Sequence, residues 1–218
     1  MKRNSFILAI ALFAVITIYS GCGQKAADKI GYGTLENGIY RNEYFGMRVN
    51  LPKEWYALDD ESRKALMQKG RKMIAGQDKN LEAALDASEL NTVNLLVVYK
   101  HPPGTPVPYN PSLVCVAEKV GHLPGIKNGS DYLYHARKLM ERSQLKYDFA
   151  ENIYSEKIGG VSFDVQDTEV STGAFRIQQK YYAAIMKGYA FGVVLSSSTE
   201  EEEEALKQIL TAMDFGKR

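Results

Sequence analysis

Cysteine is nearly absent from this chain: Cys22 and Cys115 are the only two in 218 residues. If Cys22 is acylated, one thiol remains and no internal disulfide is possible. Cys115 lies in the apolar run Leu113-Val114-Cys115-Val116 and reads as a small buried hydrophobe, because a reactive thiol needs an exposed, electropositive setting. Histidine is as scarce. His101, His122 and His135 form no i, i+4 pair and no HExxH, so no metal site is expected. GxSxG and GxxxxGK[ST] do not occur. Gly31-Tyr32-Gly33 has Glu36 where a nucleotide loop needs its third glycine. Ser143-Gln144-Leu145-Lys146 matches SxxK in letters, but it falls at the end of a helical pattern and its KTG companion is missing. Asp164, Asp167 and Glu169 lack the dense oxygen ligands and central Gly of a calcium loop. Charge of one sign is lacking too. Formal charge is +1, and without Lys2 and Arg3 the balance is 25 basic against 26 acidic residues, which argues against nucleic acid as a partner. These absences point away from an enzyme and imply no cofactor.

Long apolar runs are missing except at the start. Phe6 to Tyr19 is apolar apart from Thr17 and follows the positive Lys2-Arg3. It is too short for a span of ~20 residues and has the size of a signal-peptide core. Ile18-Tyr19-Ser20-Gly21-Cys22 follows and resembles a bacterial lipobox, with Ser20 and Gly21 fitting the pattern and Tyr19 departing from the usual aliphatic residue. Residues 1–21 are therefore read as a lipoprotein signal peptide. Cys22 is the lipidation site, carrying palmitate-type acyl chains on a diacylglycerol. Each buried methylene contributes ~0.8 kcal/mol, so two or three chains hold a protein on a membrane. Residues 22–38 are small, polar and glycine-bearing and read as a flexible tether. The expected location is the extracytoplasmic face of the cell membrane.

A folded domain is expected over 39–216. Its organising stretch is Val161 to Ser197, where Val161, Phe163, Val165, then Ile177, Tyr181, Ala183, then Phe191, Val193 and Leu195 alternate with other residues. Period two means strands with one face on a core. The breaks Ser171-Thr172-Gly173 and Lys187-Gly188 read as turns of an antiparallel meander. Further strands are expected over 39–42, 44–51, 92–99 and 112–120. A helix capped by Asp59 or Asp60 runs to about Ala75, its apolar side made by Ala65, Leu66, Met73 and Ile74. Its basic face (Arg63, Lys64, Lys69, Arg71, Lys72) reads as a solvated surface, or as a face against anionic headgroups. A second short helix follows over 77–90. Ser130 caps a helix to about Ser143, and Thr199 caps the last, with Glu202 completing a capping box and Glu203 pairing with Lys207. Trp55 reads as a core anchor, and His101 to Pro108 as a proline-stiffened loop. The fold class is α+β, a C-terminal meander followed by a packed helix.

The ordered set of Tyr44-x-Gly46-Met47-x-Val49-x-Leu51-Pro52-x-x-Trp55, then Asn110-Pro111-Ser112-Leu113-Val114-Cys115-Val116-Ala117-Glu118, Gly129-Ser130-Asp131-Tyr132-Leu133, Gly159-Gly160-Val161-Ser162-Phe163, Tyr181-Tyr182, Gly188-Tyr189-Ala190-Phe191 and Met213-Asp214-Phe215 resembles the PsbP/DcrB-like family over about residues 39–216. The resemblance implies an α/β/α sandwich around a central antiparallel sheet. It also implies action by binding rather than catalysis, and carries over no site residues. The functional expectation is a lipid-anchored, non-enzymatic interaction module with an envelope protein as partner. A small-ligand-binding lipoprotein serving transport is the alternative, favoured by any deep pocket lined by the chain's tyrosines. A hydrolase needs His101 or His122 to converge with Ser or Asp side chains.

Overall fold

The alternation of Val161 to Ser197 is realised as three antiparallel strands, and the rest of the chain builds outward from them. A computed structural model describes residues 30–89, 91–171 and 176–216. The leader, Cys22, the first part of the tether, Leu90 and the turn beyond Ser171 lie outside the described residues. In chain order the elements are β1 (Thr34–Glu36), β2 (Ile39–Asn42), β3 (Met47–Asn50), β4 (Tyr56–Ala57), α1 (Asp60–Ala75), α2 (Lys79–Glu89), β5 (Thr92–Tyr99) and β6 (Ser112–Lys119). There follow α3 (Gly129–Met140), β7 (Lys146–Phe149), β8 (Tyr154–Ile158), β9 (Val161–Ser171), β10 (Arg176–Met186), β11 (Tyr189–Ser197) and α4 (Glu200–Thr211).

The large sheet runs β4-β5-β6-β11-β10-β9-β7, with β8 on the other half of β9's edge. Its paired strands are antiparallel. Met186 pairs with Tyr189 across Lys187 (φ 52°) and Gly188 (φ 80°). Two left-handed residues in a two-residue loop make the turn whose twist suits a hairpin.

The alternation predicts one buried face; the structure buries both. Val97, Val114, Val116, Tyr181, Ala183 and Val194 pack with Ile74, Leu81 and Leu85 of α1 and α2 and with Tyr132, Leu133 and Ala136 of α3. The opposite set, Leu113, Cys115, Phe163, Val165, Tyr182, Phe191 and Val193, packs with Leu206, Ile209 and Leu210 of α4 and with Tyr40, Met47 and Val49 of the small sheet β1-β2-β3. The architecture is α+β, helices on both faces of an antiparallel sheet. Apolar residues stand at odd and even positions alike in β6, which is what a sheet covered on both sides requires.

Local signals decide the helix ends. Asp59 caps α1, its Oδ1 accepting from Ser62 N at 2.7 Å. Those bonds hold its carboxyl below the usual range, so the contribution of this cap is present above the unfolded carboxylate's pKa and is lost as pH falls through the depressed one. The cap of α3 is Asn128 and not Ser130: Asn128 Oδ1 accepts from Asp131 N at 2.8 Å and Asp131 Oδ2 from Asn128 N at 3.3 Å. Ser130 is the second residue of the helix, where its N–H donates to Asp164 Oδ2 at 2.8 Å. Thr199 caps α4 by accepting from Glu202 N, and Lys207 pairs with Glu203 at 2.8 Å. Glu202 reaches back to Ser198 N rather than to Thr199 N.

Two side-chain assignments and one segment differ from the sequence reading. Ala65 is exposed, because the buried side of α1 is set by Leu66, Met67, Ile74 and Ala75. Arg63 leaves the solvated basic face: it is buried, paired with Asp60, and its guanidinium lies 5.8 Å from the Tyr32 ring centroid. Residues 30–38, read as tether, are structured. Asn42 Nδ2 donates to Gly31 O, Tyr40 Oη donates to Tyr32 O, and β1 pairs with β2. Cys115 and Trp55 are buried as expected, and burial pushes the Cys115 thiol well up.

Candidate functional site

The small sheet exists because Asn37-Gly38 turns the chain. Asn37 (φ 51°) and Gly38 (φ 75°) are both left-handed, and Glu36 pairs with Ile39 across them. Asn-Gly between strands is the strongest short hairpin signal. The sequence carries this signal within a polar, glycine-bearing stretch, whose composition reads as tether. On the far side, β3 runs into Pro52-Lys53-Glu54-Trp55, a turn closed by Trp55 N donating to Pro52 O at 3.0 Å. Trp55 anchors in the core and delivers Tyr56 to the end of the large sheet, where it pairs with Tyr99.

Two sheet ends therefore meet. β1 terminates the small sheet and β4 the large one, and residues of both line one open cleft of about 740 Å³. Its apolar walls include Leu35, Ile39, Leu51, Trp55 and Tyr56. Leu35 shares a face with Tyr40 through the register but overhangs the sheet edge and stays 46% exposed; Tyr56 is 41% exposed. The charged residues lining it are Arg48 and Lys53; Glu36 and Glu54 belong to the same segments but are not among its lining. A second cleft, about 310 Å³ between α1 and α2, is polar and of mixed charge, with Arg71 3.9 Å from Asp86.

The residues singled out from sequence are scattered. Cys22 lies outside the described residues. His122 and His135 are exposed; His101 is half-buried, its backbone bonded both ways to the Asn110 amide at 2.9 and 2.8 Å. Ser143 Oγ bonds within its own turn, to Leu145. Asp164 is engaged by Ser130 N and Ser155 Oγ, Asp167 by Lys180 at 2.8 Å, and Glu169 by Gln178 at 2.9 Å. Among the described residues no three His, Cys, Asp or Glu side chains gather where they would hold a metal ion. Nor is any helix among them long and apolar enough to cross a membrane. Tyr109 and Tyr132 are buried, whereas Tyr56, Tyr134 and Tyr154 are exposed at different places. Partial desolvation of its hydroxyl against the sheet, with the nearby Asp167 carboxylate, pushes the Tyr154 phenol up to about 12. A buried carboxylate escaped the sequence reading: Glu118, 2% exposed, accepts from Tyr132 Oη at 2.6 Å.

No protein-family model and no curated protein matches the chain. Solved structures resemble it in fold. The cyanobacterial PsbP (CyanoP) of Synechocystis sp. PCC 6803 is 11% identical, covering 89% of this chain and 96% of its own at a TM-score of 0.46. LpqN of Mycobacterium tuberculosis, involved in cell envelope biogenesis, is 13% identical, covering 77% and 82% at 0.42. A Pseudomonas aeruginosa protein of unknown function is 17% identical, covering 56% and 78% at 0.38. At these values the likeness carries no argument about this chain, and the site stands on its own residues.

Proposed function

We propose that the chain is a lipid-anchored, extracytoplasmic and non-enzymatic interaction module. Its cleft between β1 and β4 receives an extended segment of an envelope protein. The observation that carries this reading is the meeting of two sheet-end strands in one cleft with Leu35 and Tyr56 exposed. A terminal strand offers unpaired N–H and C=O groups to an added strand, and flanking apolar pockets select its side chains. Both strands are short, a common guard against indiscriminate edge pairing, so side-chain pockets supply much of the selectivity. With Arg48 and Lys53 as the charged lining, the segment that fits carries apolar residues beside a carboxylate.

Two experiments test the two halves separately. A photo-crosslinker at the exposed cleft residue Asn50 in living cells is expected to capture one dominant envelope protein, and Leu35→Asp with Tyr56→Asp is expected to lower capture at least tenfold while the urea midpoint stays put. Equal capture by the variant places the partner elsewhere. For the anchor, mass spectrometry of the mature N-terminus is expected to find acylated Cys22, and Cys22→Ala to release the protein from membranes. An unmodified Cys22 on an uncut leader would falsify the anchor and leave the cleft untouched.

A further inference from the structure

The arm that comes from the leader is built into the fold from Gly31 onward. Asn42 Nδ2 donates to Gly31 O at 2.9 Å, and Tyr40 Oη donates to Tyr32 O at 2.7 Å. Both donors are core residues, Tyr40 1% and Asn42 2% exposed, so the arm is pinned to the packed interior. The Tyr32 ring centroid lies 5.8 Å from the Arg63 guanidinium and 5.6 Å from the Lys64 ammonium. Gly33 (φ 79°) passes so close to Tyr40 that a Cβ would stand 2.5 Å from its Oη. Thr34, Leu35 and Glu36 then pair with Arg41, Tyr40 and Ile39.

The arm and the cleft wall are therefore one continuous stretch of chain. Leu35, Asn37 and Gly38 line the cleft, and only residues 23–29 stand between Cys22 and Ile30. A chain spans at most ~3.6 Å per residue, so eight steps from an acylated Cys22 reach about 29 Å at Ile30, and thirteen reach about 47 Å at Leu35. A tether left unpaired as far as Gly38 would reach about 58 Å and leave the domain free to turn on it. The pinned arm instead puts the cleft at the end of the domain where the chain departs for the membrane.

We propose that the segment received by the cleft belongs to a protein held in the same membrane, and is the stretch of that protein just outside the bilayer. This rests on the anchor and the cleft proposed above and names the class of their partner. Two proteins tethered to one surface meet at an effective concentration that falls roughly as the −3/2 power of leash length. Committing residues 31–36 to the fold shortens the leash and raises that concentration. A partner free in solution gains nothing from a short leash. Arg48 and Lys53 in the cleft lining select, among such stretches, one that carries a carboxylate.

The test lengthens the leash in the full chain. A flexible Gly-Ser insert of about 24 residues between Lys25 and Ala26 takes the leash from eight steps to about 32, for which the power law gives about an eightfold loss. With the photo-crosslinker at Asn50 and expression kept low, capture in living cells is expected to fall by that factor. An unchanged urea midpoint shows that the cleft itself is intact. Cys22→Ala is expected to lower capture at least as far, and the captured protein to stay with membranes through an alkaline carbonate wash. Capture indifferent to leash length, or a captured protein that the wash releases, overturns the inference and leaves the cleft standing. Failure of the cleft shows instead as equal capture by Leu35→Asp with Tyr56→Asp, and failure of the anchor as an unmodified Cys22. Either of those also overturns the inference, and each is read apart from the leash.

Discussion

Raising the pH above about 10 is expected to unfold this protein in one cooperative step, with tyrosinate absorbance and loss of ellipticity rising together. Tyr40, Tyr99, Tyr109, Tyr132, Tyr181 and Tyr182 are each at most 6% exposed. Burial pushes all six phenols above the ordinary 10.0, and the Glu118 carboxylate adds to the effect at Tyr132. The sign follows from linkage. A phenol whose folded pKa is raised contributes stability that is fully present below the unfolded value near 10, and lost as pH climbs from there toward the folded value. Each such group removes about 1.4 kcal/mol per pH unit in that window. Six acting together remove on the order of 8 kcal/mol per unit, against a typical domain stability of roughly 5–15 kcal/mol. Unfolding is therefore expected within about two units above pH 10. A gradual titration of these tyrosines with the fold intact would show that their burial is not what opposes ionisation.

Gly129→Ala is expected to destabilise the fold by about 3 kcal/mol or more, the upper end of what overpacking costs, while Gly125→Ala, four residues earlier, changes it by less than about 0.5 kcal/mol. Gly129 opens α3, and a Cβ there would stand 2.1 Å from Ala183 O and 2.8 Å from Ala183 C of β10. Those are backbone atoms in the middle of the sheet, held by pairing to both β9 and β11, so α3 must move instead. Moving it strains the Ser130 N–Asp164 bond and draws Tyr132 away from Glu118. A Cβ on Gly125 meets nothing within 4 Å. Urea midpoints of the two variants measure the difference directly, and equal midpoints would mean that α3 has slack against the sheet.

The legible part of the fold was local. Lys187-Gly188 marks a hairpin because two left-handed residues are needed there. Asp59 and Thr199 mark helix starts because a side-chain oxygen must meet the first free N–H groups. Sequence does not separate Asn128 from Ser130 because both are good caps two residues apart, and packing of Gly129 against Ala183 selects the earlier start. Helical periodicity groups Arg63 with the exposed cations, since it does not report that Tyr32, thirty-one positions back, lies against it.

From sequence alone came the leader pattern that ends at Cys22, the alternation that makes β9, β10 and β11, the caps, and the lack of any motif for catalysis or metal. Each depends on residues within a few positions of one another, where backbone geometry and hydrogen-bond reach are set by spacing. Tertiary structure decided the rest. Alternation says which side chains share a face, but which strands become neighbours follows from burying both faces of one sheet at once. That choice leaves β1 and β4 as the ends that share a cleft.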